Sequence, residues 1–185
     1  TLTERASKAV LAAYGFPVTH EALARTRDEA AQLAREAGGP VAIKIESADI
    51  SHKTEAGGIR LNVSAQSAAQ AFDEVMQAAA AYKPGAKLDG VLVQEMVSGG
   101  IEAILGVTND PLFGPAVMFG LGGVFAEVLK DVSFRMAPVT PSVAREMIDE
   151  IKGSAVLKGA RGAPPADIDA LADAIVRVSA MAVDL

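Results

Sequence analysis

The sequence predicts an α+β fold, and three observations carry that prediction. Amphipathic segments opened by helix-capping residues are interspersed with short apolar runs of strand length. The breaks between them are paired glycines and prolines, which are turn and terminus residues. The chain is 50% hydrophobic but only 4% aromatic and has no Trp, so its core is built from Ala, Val, Ile, Leu and Met. Small residues of this kind allow close contact between helix and sheet. A length of 185 residues suits one ordinary domain or two small subdomains.

Residues 4–14 read as a helix with Ala6, Ala9, Val10 and Ala13 on one face, stopped by Gly15 and Pro17. Thr26-x-x-Glu29 is a capping box that opens a helix running to about Ala37. Val41 to Ile45 is an apolar strand carrying one lysine, Lys44. A polar stretch and Gly57-Gly58 precede an alternating strand, Ile59 to Val63. Ser67 and Gln70 form a second capping box, for a helix to about Tyr82. Gly90–Val97 and Ile101–Thr108 read as strands of one hairpin across Ser98-Gly99-Gly100. Pro115–Phe119 and Val124–Leu129 are strands separated by Gly120-Leu121-Gly122-Gly123, and Phe134–Val139 is a further strand. Thr140-Pro141 caps a helix to Lys152, and a final helix from near Pro165 carries Ile168, Leu171, Ile175 and Val178. There is no internal repeat.

Composition excludes several function classes. With no cysteine there is no disulfide, thiolate nucleophile, zinc ribbon or iron–sulfur cluster. A net charge of −6 disfavours a nucleic-acid partner held on a basic face. No apolar run approaches the roughly 20 residues of a membrane span, and the first residues lack a signal-peptide layout, so the expected location is the cytoplasm.

A few residues have the character of a chemical site. Lys44 is either a lysine that snorkels from a strand edge or a fixed cation for phosphate. His52, beside Lys53 and before Gly57-Gly58, sits on either a solvated turn or a small flexible phosphate-binding loop, where imidazole serves as base or nucleophile. The Gly120–Gly123 run is neither a dinucleotide fingerprint nor a Walker loop; it is a tight turn or a backbone cradle. Glu127, Asp131 and Arg135 are either a surface ion cluster or magnesium ligands with a phosphate-contacting arginine. Glu95 and Glu102 flank the expected hairpin turn.

Taken in order, these segments resemble the ATP-grasp domain of the ADP-forming (NDP-forming) acyl-CoA synthetases. That group includes acetyl-CoA synthetase and is related to the succinyl-CoA synthetase β subunit. The resemblance runs through Tyr14-Gly15-Phe16-Pro17-Val18, Pro40–Lys44, His52–Ile59, Val93–Val97, Glu102–Val107, Asp110–Pro115, Phe119–Gly123, Glu127–Asp131 and Leu157–Gly162. It implies two α/β lobes with a nucleotide cleft between them. Residues 1–19 would be an N-terminal helix on the larger lobe, 20–95 the small lobe, and 96–185 the larger lobe, cut short at its C-terminal end. In the family the domain continues into a strand with an acidic residue and an Asn-Pro pair.

The resemblance also implies roles. Lys44 would bind the α- and β-phosphates. Glu95, Met96 and Val97 would form the adenine-binding hinge, Gln94 would belong to the same cofactor-binding set, and Glu102 would meet the ribose. Gly122 and Gly123 belong to the nucleotide-binding set. Glu127 and Asp131 would hold Mg2+, Arg135 would contact phosphate, and His52 would carry the phosphoryl group. The implied reaction makes acyl-CoA, ADP and phosphate from a carboxylic acid, CoA and ATP, through acyl phosphate and phosphohistidine. The substrates and cofactors would be ATP or ADP with Mg2+, and CoA held by CoA-ligase domains in the same or another chain. This chain alone would be inactive. The alternative is a non-catalytic, acyl-CoA-sensing module of a protein lysine acetyltransferase. The presence of His52 favours the enzyme, because a sensor needs no phosphoryl carrier.

Overall fold

The alternation Val41, Ile43, Ile45 against Ala42, Lys44, Glu46 decides how the N-terminal half is built. The first set enters an apolar core, and the second faces the opposite side of the sheet. A computed structural model of the chain describes residues 2–123, 131–162 and 164–185. It divides into two compact units, Thr1–Ser98 and Gly99–Leu185.

The first unit runs α1 (Glu4–Ala13), β1 (Glu21–Ala24), α2 (Arg27–Glu36), β2 (Val41–Glu46), β3 (Ile59–Val63), α3 (Ala68–Tyr82) and β4 (Gly90–Glu95). Its antiparallel sheet has the order β1-β4-β2-β3. Residues from α2 and α3, among them Ala30, Ala34, Phe72, Val75 and Ala79, close on Val41, Ile43, Ile45, Val91 and Val93 to make the core. The Thr26–Glu29 capping box forms as read. The one at Ser67 does not: Gln70 reaches Glu74 instead, and Ser67 pairs with Ser64. Residues 1–19 group with this first unit, not with the second, because Glu4 and Lys8 of α1 are tied to β1, β2 and β4.

The second unit runs β5 (Ala103–Asp110), β6 (Gly114–Leu121), β7 (Val132–Met136), α4 (Pro141–Glu150), a short α5 (Ser154–Leu157) and α6 (Ile168–Asp184). Its antiparallel sheet has the order β5-β6-β7. Val117, Phe119 and Leu121 are buried with Met147 and Ile148 of α4 and Ile175 and Val178 of α6. The Ser133 hydroxyl donates to the Met147 carbonyl at 2.9 Å, and the Ser179 hydroxyl accepts from the Val139 amide at 2.6 Å. These bonds satisfy polar groups inside the core. Asp110 closes the β5–β6 turn by accepting from the Leu112 and Phe113 amides.

The hairpin expected from Gly90–Val97 and Ile101–Thr108 is not formed, since β4 and β5 belong to different sheets. Burial explains the outcome. Gly90–Val93 is buried because β4 lies between β1 and β2, a position no two-stranded hairpin offers. The expected strand Val124–Leu129 lies outside the described residues.

Candidate functional site

Lys44 stands on β2, an interior strand paired on both sides, so it does not snorkel from an edge. The register puts Lys44, Gln94 and Glu21 on the same face: Ala42 opposes Gln94, and Gln94 opposes Glu21. Helix α1 brings Glu4 and Lys8 to this face. Lys44 Nζ donates to Gln94 Oε1 at 2.8 Å and to Glu4 Oε1 at 3.0 Å. Lys8 Nζ donates to the same Gln94 oxygen at 3.0 Å and pairs with Glu21. Lys53 Nζ donates to the other oxygen of Glu4 at 2.8 Å. Behind it lies Glu46, whose carboxylate is 6% exposed and stands 3.7 Å from Lys53 Nζ. Among the described residues Glu46 Oε2 has no hydrogen-bond partner. Three lysines and three carboxylates thus form one half-buried charged network around Lys44.

Glu4 is the centre of that network. Burial pushes its carboxyl upward, but the hydrogen bonds from Lys53 and Lys44 outweigh this and lower it from 4.5 to about 2. It is therefore ionised throughout the neutral range.

His52 follows β2 on a turn held by backbone hydrogen bonds. The Ala56 amide donates to the His52 carbonyl, Gly58 to the Lys53 carbonyl, and Ile45 to the Gly58 carbonyl. A Cβ on Gly58 would lie 2.6 Å from a methyl of Ile45, so glycine there permits close packing against β2. His52 itself is exposed, and with Glu4, Lys53, Ser51 and Thr54 it lines a cavity of about 580 Å³.

Glu95 accepts from the His20 amide at 2.7 Å and returns its own amide to the His20 carbonyl at 3.0 Å. Met96 is half-buried and Val97 is exposed. In the second unit Glu102, Gly122 and Gly123 come together. The Gly122 amide donates to the Glu102 carbonyl at 2.7 Å, and a Cβ on Gly123 would lie 2.6 Å from a Glu102 carboxylate oxygen. Only glycines let this carboxylate lie against backbone.

Asp131 and Arg135 are engaged separately. Asp131 accepts from the Lys152 amide at 2.9 Å and the Gly153 amide at 2.6 Å, just ahead of α5. Arg135 pairs with Glu150 at 2.7 Å. Glu127 lies outside the described residues. Among the described residues no cluster of three or more acidic or histidine side chains could hold a metal ion. They fit a phosphate group, through the lysines, but do not by themselves make a magnesium site. Sequence reasoning missed Glu4, Lys8 and Glu46 and gave Lys53 no role of its own. The recurrence of charge at Glu4, Lys8 and Glu21 was the available signal.

A model of the ATP-grasp domain matches residues 1–185. The chain belongs to the ATP-grasp family. This ATP-grasp chain is 50% identical to the β subunit of ADP-forming acetate–CoA ligase I of Pyrococcus furiosus, over 185 residues, covering all of this chain and 80% of that subunit. It is 49% identical over 175 residues to ADP-forming acetate–CoA ligase I of Archaeoglobus fulgidus, covering 95% of this chain but only 26% of that protein. It also superposes on the dinucleotide-forming acetyl-coenzyme A synthetase 1 of Ca. Korarchaeum cryptofilum at a TM-score of 0.84 and 39% identity, covering all of this chain and 79% of that one. That structure holds coenzyme A and Mg-AMPPCP, with a phosphohistidine segment pointing towards the nucleotide-binding site. The ATP-grasp fold and the resemblance to ADP-forming synthetases hold, and the sensing-module alternative draws no support from these relatives. Among the described residues no helix is long and apolar enough to cross a membrane.

Proposed function

We propose that this chain is the nucleotide-binding part of an ADP-forming acyl-CoA synthetase, working with CoA-ligase domains in the same or another chain, in the cytoplasm. The observation that carries the reading is the cation set on one face of the first sheet, with exposed His52 beside it. Lys44, fixed by Gln94, would take the nucleotide phosphates. A neutral imidazole nitrogen of His52 would attack the terminal phosphorus of ATP. The bond from that phosphorus to the bridging oxygen breaks, ADP leaves with the electron pair, and an N–P bond forms. The phosphoryl group is then available to a partner domain, which uses it to make acyl phosphate from a carboxylic acid. Catalysis of this kind asks mainly for positioning and charge neutralisation. Glu95, Met96 and Val97 would hold the base, Glu102 with Gly122 and Gly123 the ribose side, and Arg135 a phosphate. Magnesium, when bound with the nucleotide, would neutralise phosphate charge; Glu127 and Asp131 are its proposed ligands. CoA and the acyl group would belong to the partner domains.

The experiment is labelling with terminally labelled Mg-ATP. The reading expects an acid-labile, base-stable label on the chain that is lost in His52→Ala. A label that persists in that variant contradicts the role of His52.

A further inference from the structure

The carboxylate of Glu4 does on this face what a phosphate would do. One oxygen receives Lys44 Nζ at 3.0 Å, the other receives Lys53 Nζ at 2.8 Å, and Lys8 Nζ stands 3.3 Å from the first. Ammonium groups converging on an oxyanion are the recognition chemistry of phosphate. Lys53 reaches this point from the His52 turn, not from β2, so the two lysines join the proposed phosphate strand to the proposed phosphoryl carrier. We propose that Lys53 is the second cation of the phosphate site, and that Glu4 stands in for a phosphoryl oxyanion between Lys53 and Lys44 and yields to it. The proposal rests on the reading of Lys44 as a phosphate ligand.

Three further features fit an exchange of anions here. Helix α1 has no fully buried residue, so a shift of its first turn gives up little apolar burial. Glu46 remains 3.7 Å from Lys53, so Lys53 keeps a counter-charge and its place when Glu4 withdraws. The cavity of about 580 Å³ bordered by Glu4, His52 and Lys53 has room for a tetrahedral anion. Because Glu4 titrates near 2, it competes as a full negative charge at neutral pH. The ligand chemistry is a phosphate dianion, whether the end of a nucleotide or free phosphate.

The test is calorimetric titration at fixed ionic strength with Mg-ATP, Mg-ADP and inorganic phosphate. Wild type, Glu4→Gln, Lys53→Gln and Lys44→Ala are compared, each first checked for folding by circular dichroism. Removing the competing charge in Glu4→Gln tightens binding about fivefold or more, and Lys53→Gln weakens it about tenfold or more. An effect on ATP but not ADP assigns the site to the terminal phosphate; an effect on inorganic phosphate as well assigns it to a free anion. If Glu4→Gln fails to fold, Glu4→Asp keeps the charge but is too short to reach both ammoniums, and it should bind more tightly than wild type. Equal or weaker binding in the folded Glu4 variant overturns the proposal, as does wild-type affinity in Lys53→Gln, or no saturable binding by either wild type or the Glu4 variant. Loss of binding in Lys44→Ala alongside those results leaves the phosphate strand standing; unchanged affinity in Lys44→Ala removes the reading beneath it.

Discussion

Acid should dismantle the Glu4 network in a defined window, and Glu4→Gln isolates its contribution. The Glu4 carboxyl is lowered from 4.5 to about 2 by Lys53 and Lys44 against the opposing effect of burial. A shift of that size corresponds to about 3 kcal/mol, and a side chain still 28% exposed keeps about 1–2 kcal/mol of it after solvent screening. The sign follows from the lowered value. Above about pH 4.5 the carboxylate is ionised both folded and unfolded, and the whole contribution is present. It drains away as pH falls from about 4.5 to about 2, where both states bind the proton. Urea unfolding of wild type and Glu4→Gln at about pH 7, 4 and 2.5 measures the gap between them. The gap should be about 1–2 kcal/mol at neutrality and shrink steadily with acid. A gap that is constant with pH, or that widens on acidification, would mean that the lysines do not stabilise the ionised form.

Other expectations concern neighbouring residues. Lys53→Met strands the buried Glu46 and should cost about 2–4 kcal/mol in urea unfolding. Adding Glu46→Gln should recover at least about 1 kcal/mol of that in a double-mutant cycle, whereas simple additivity would show the pair uncoupled. Gly58→Ala drives a methyl into Ile45 and should lower stability by about 1–3 kcal/mol, a forecast that wild-type stability would end. Asp131→Ala leaves the Lys152 and Gly153 amides without their acceptor and should cost about 1–3 kcal/mol, read as a lower unfolding midpoint.

Elements are legible in the sequence where the physics that sets them is local. The Thr26–Glu29 box and the Thr140–Pro141 start are set by residues within one turn, and both form. Lys44 was legible because a single charge in an apolar run is conspicuous. Where pairing is remote, the sequence was opaque. Glu21–Ala24 spells a segment of weak strand propensity, and it becomes β1 because β4 supplies its hydrogen bonds from some seventy residues away. The false hairpin at Ser98–Gly100 had turn residues in the right place, but no local rule states that β4 is claimed by two other strands. Ser67 lost its box because Gln70 has a better partner one turn on, in Glu74. The site divides the same way. Lys44 and His52 stand out locally as candidates, while Glu4 meets Lys53 across 49 positions, and only the packing of α1 on the sheet brings them together.

The central claim, that the face of β2 carrying Lys44 binds nucleotide phosphate, is tested most directly by titrating the chain with Mg-ATP beside Lys44→Ala. Wild type should bind saturably, and Lys44→Ala, still folded by circular dichroism, should lose affinity by about tenfold or more. Equal affinity in the two proteins would contradict it.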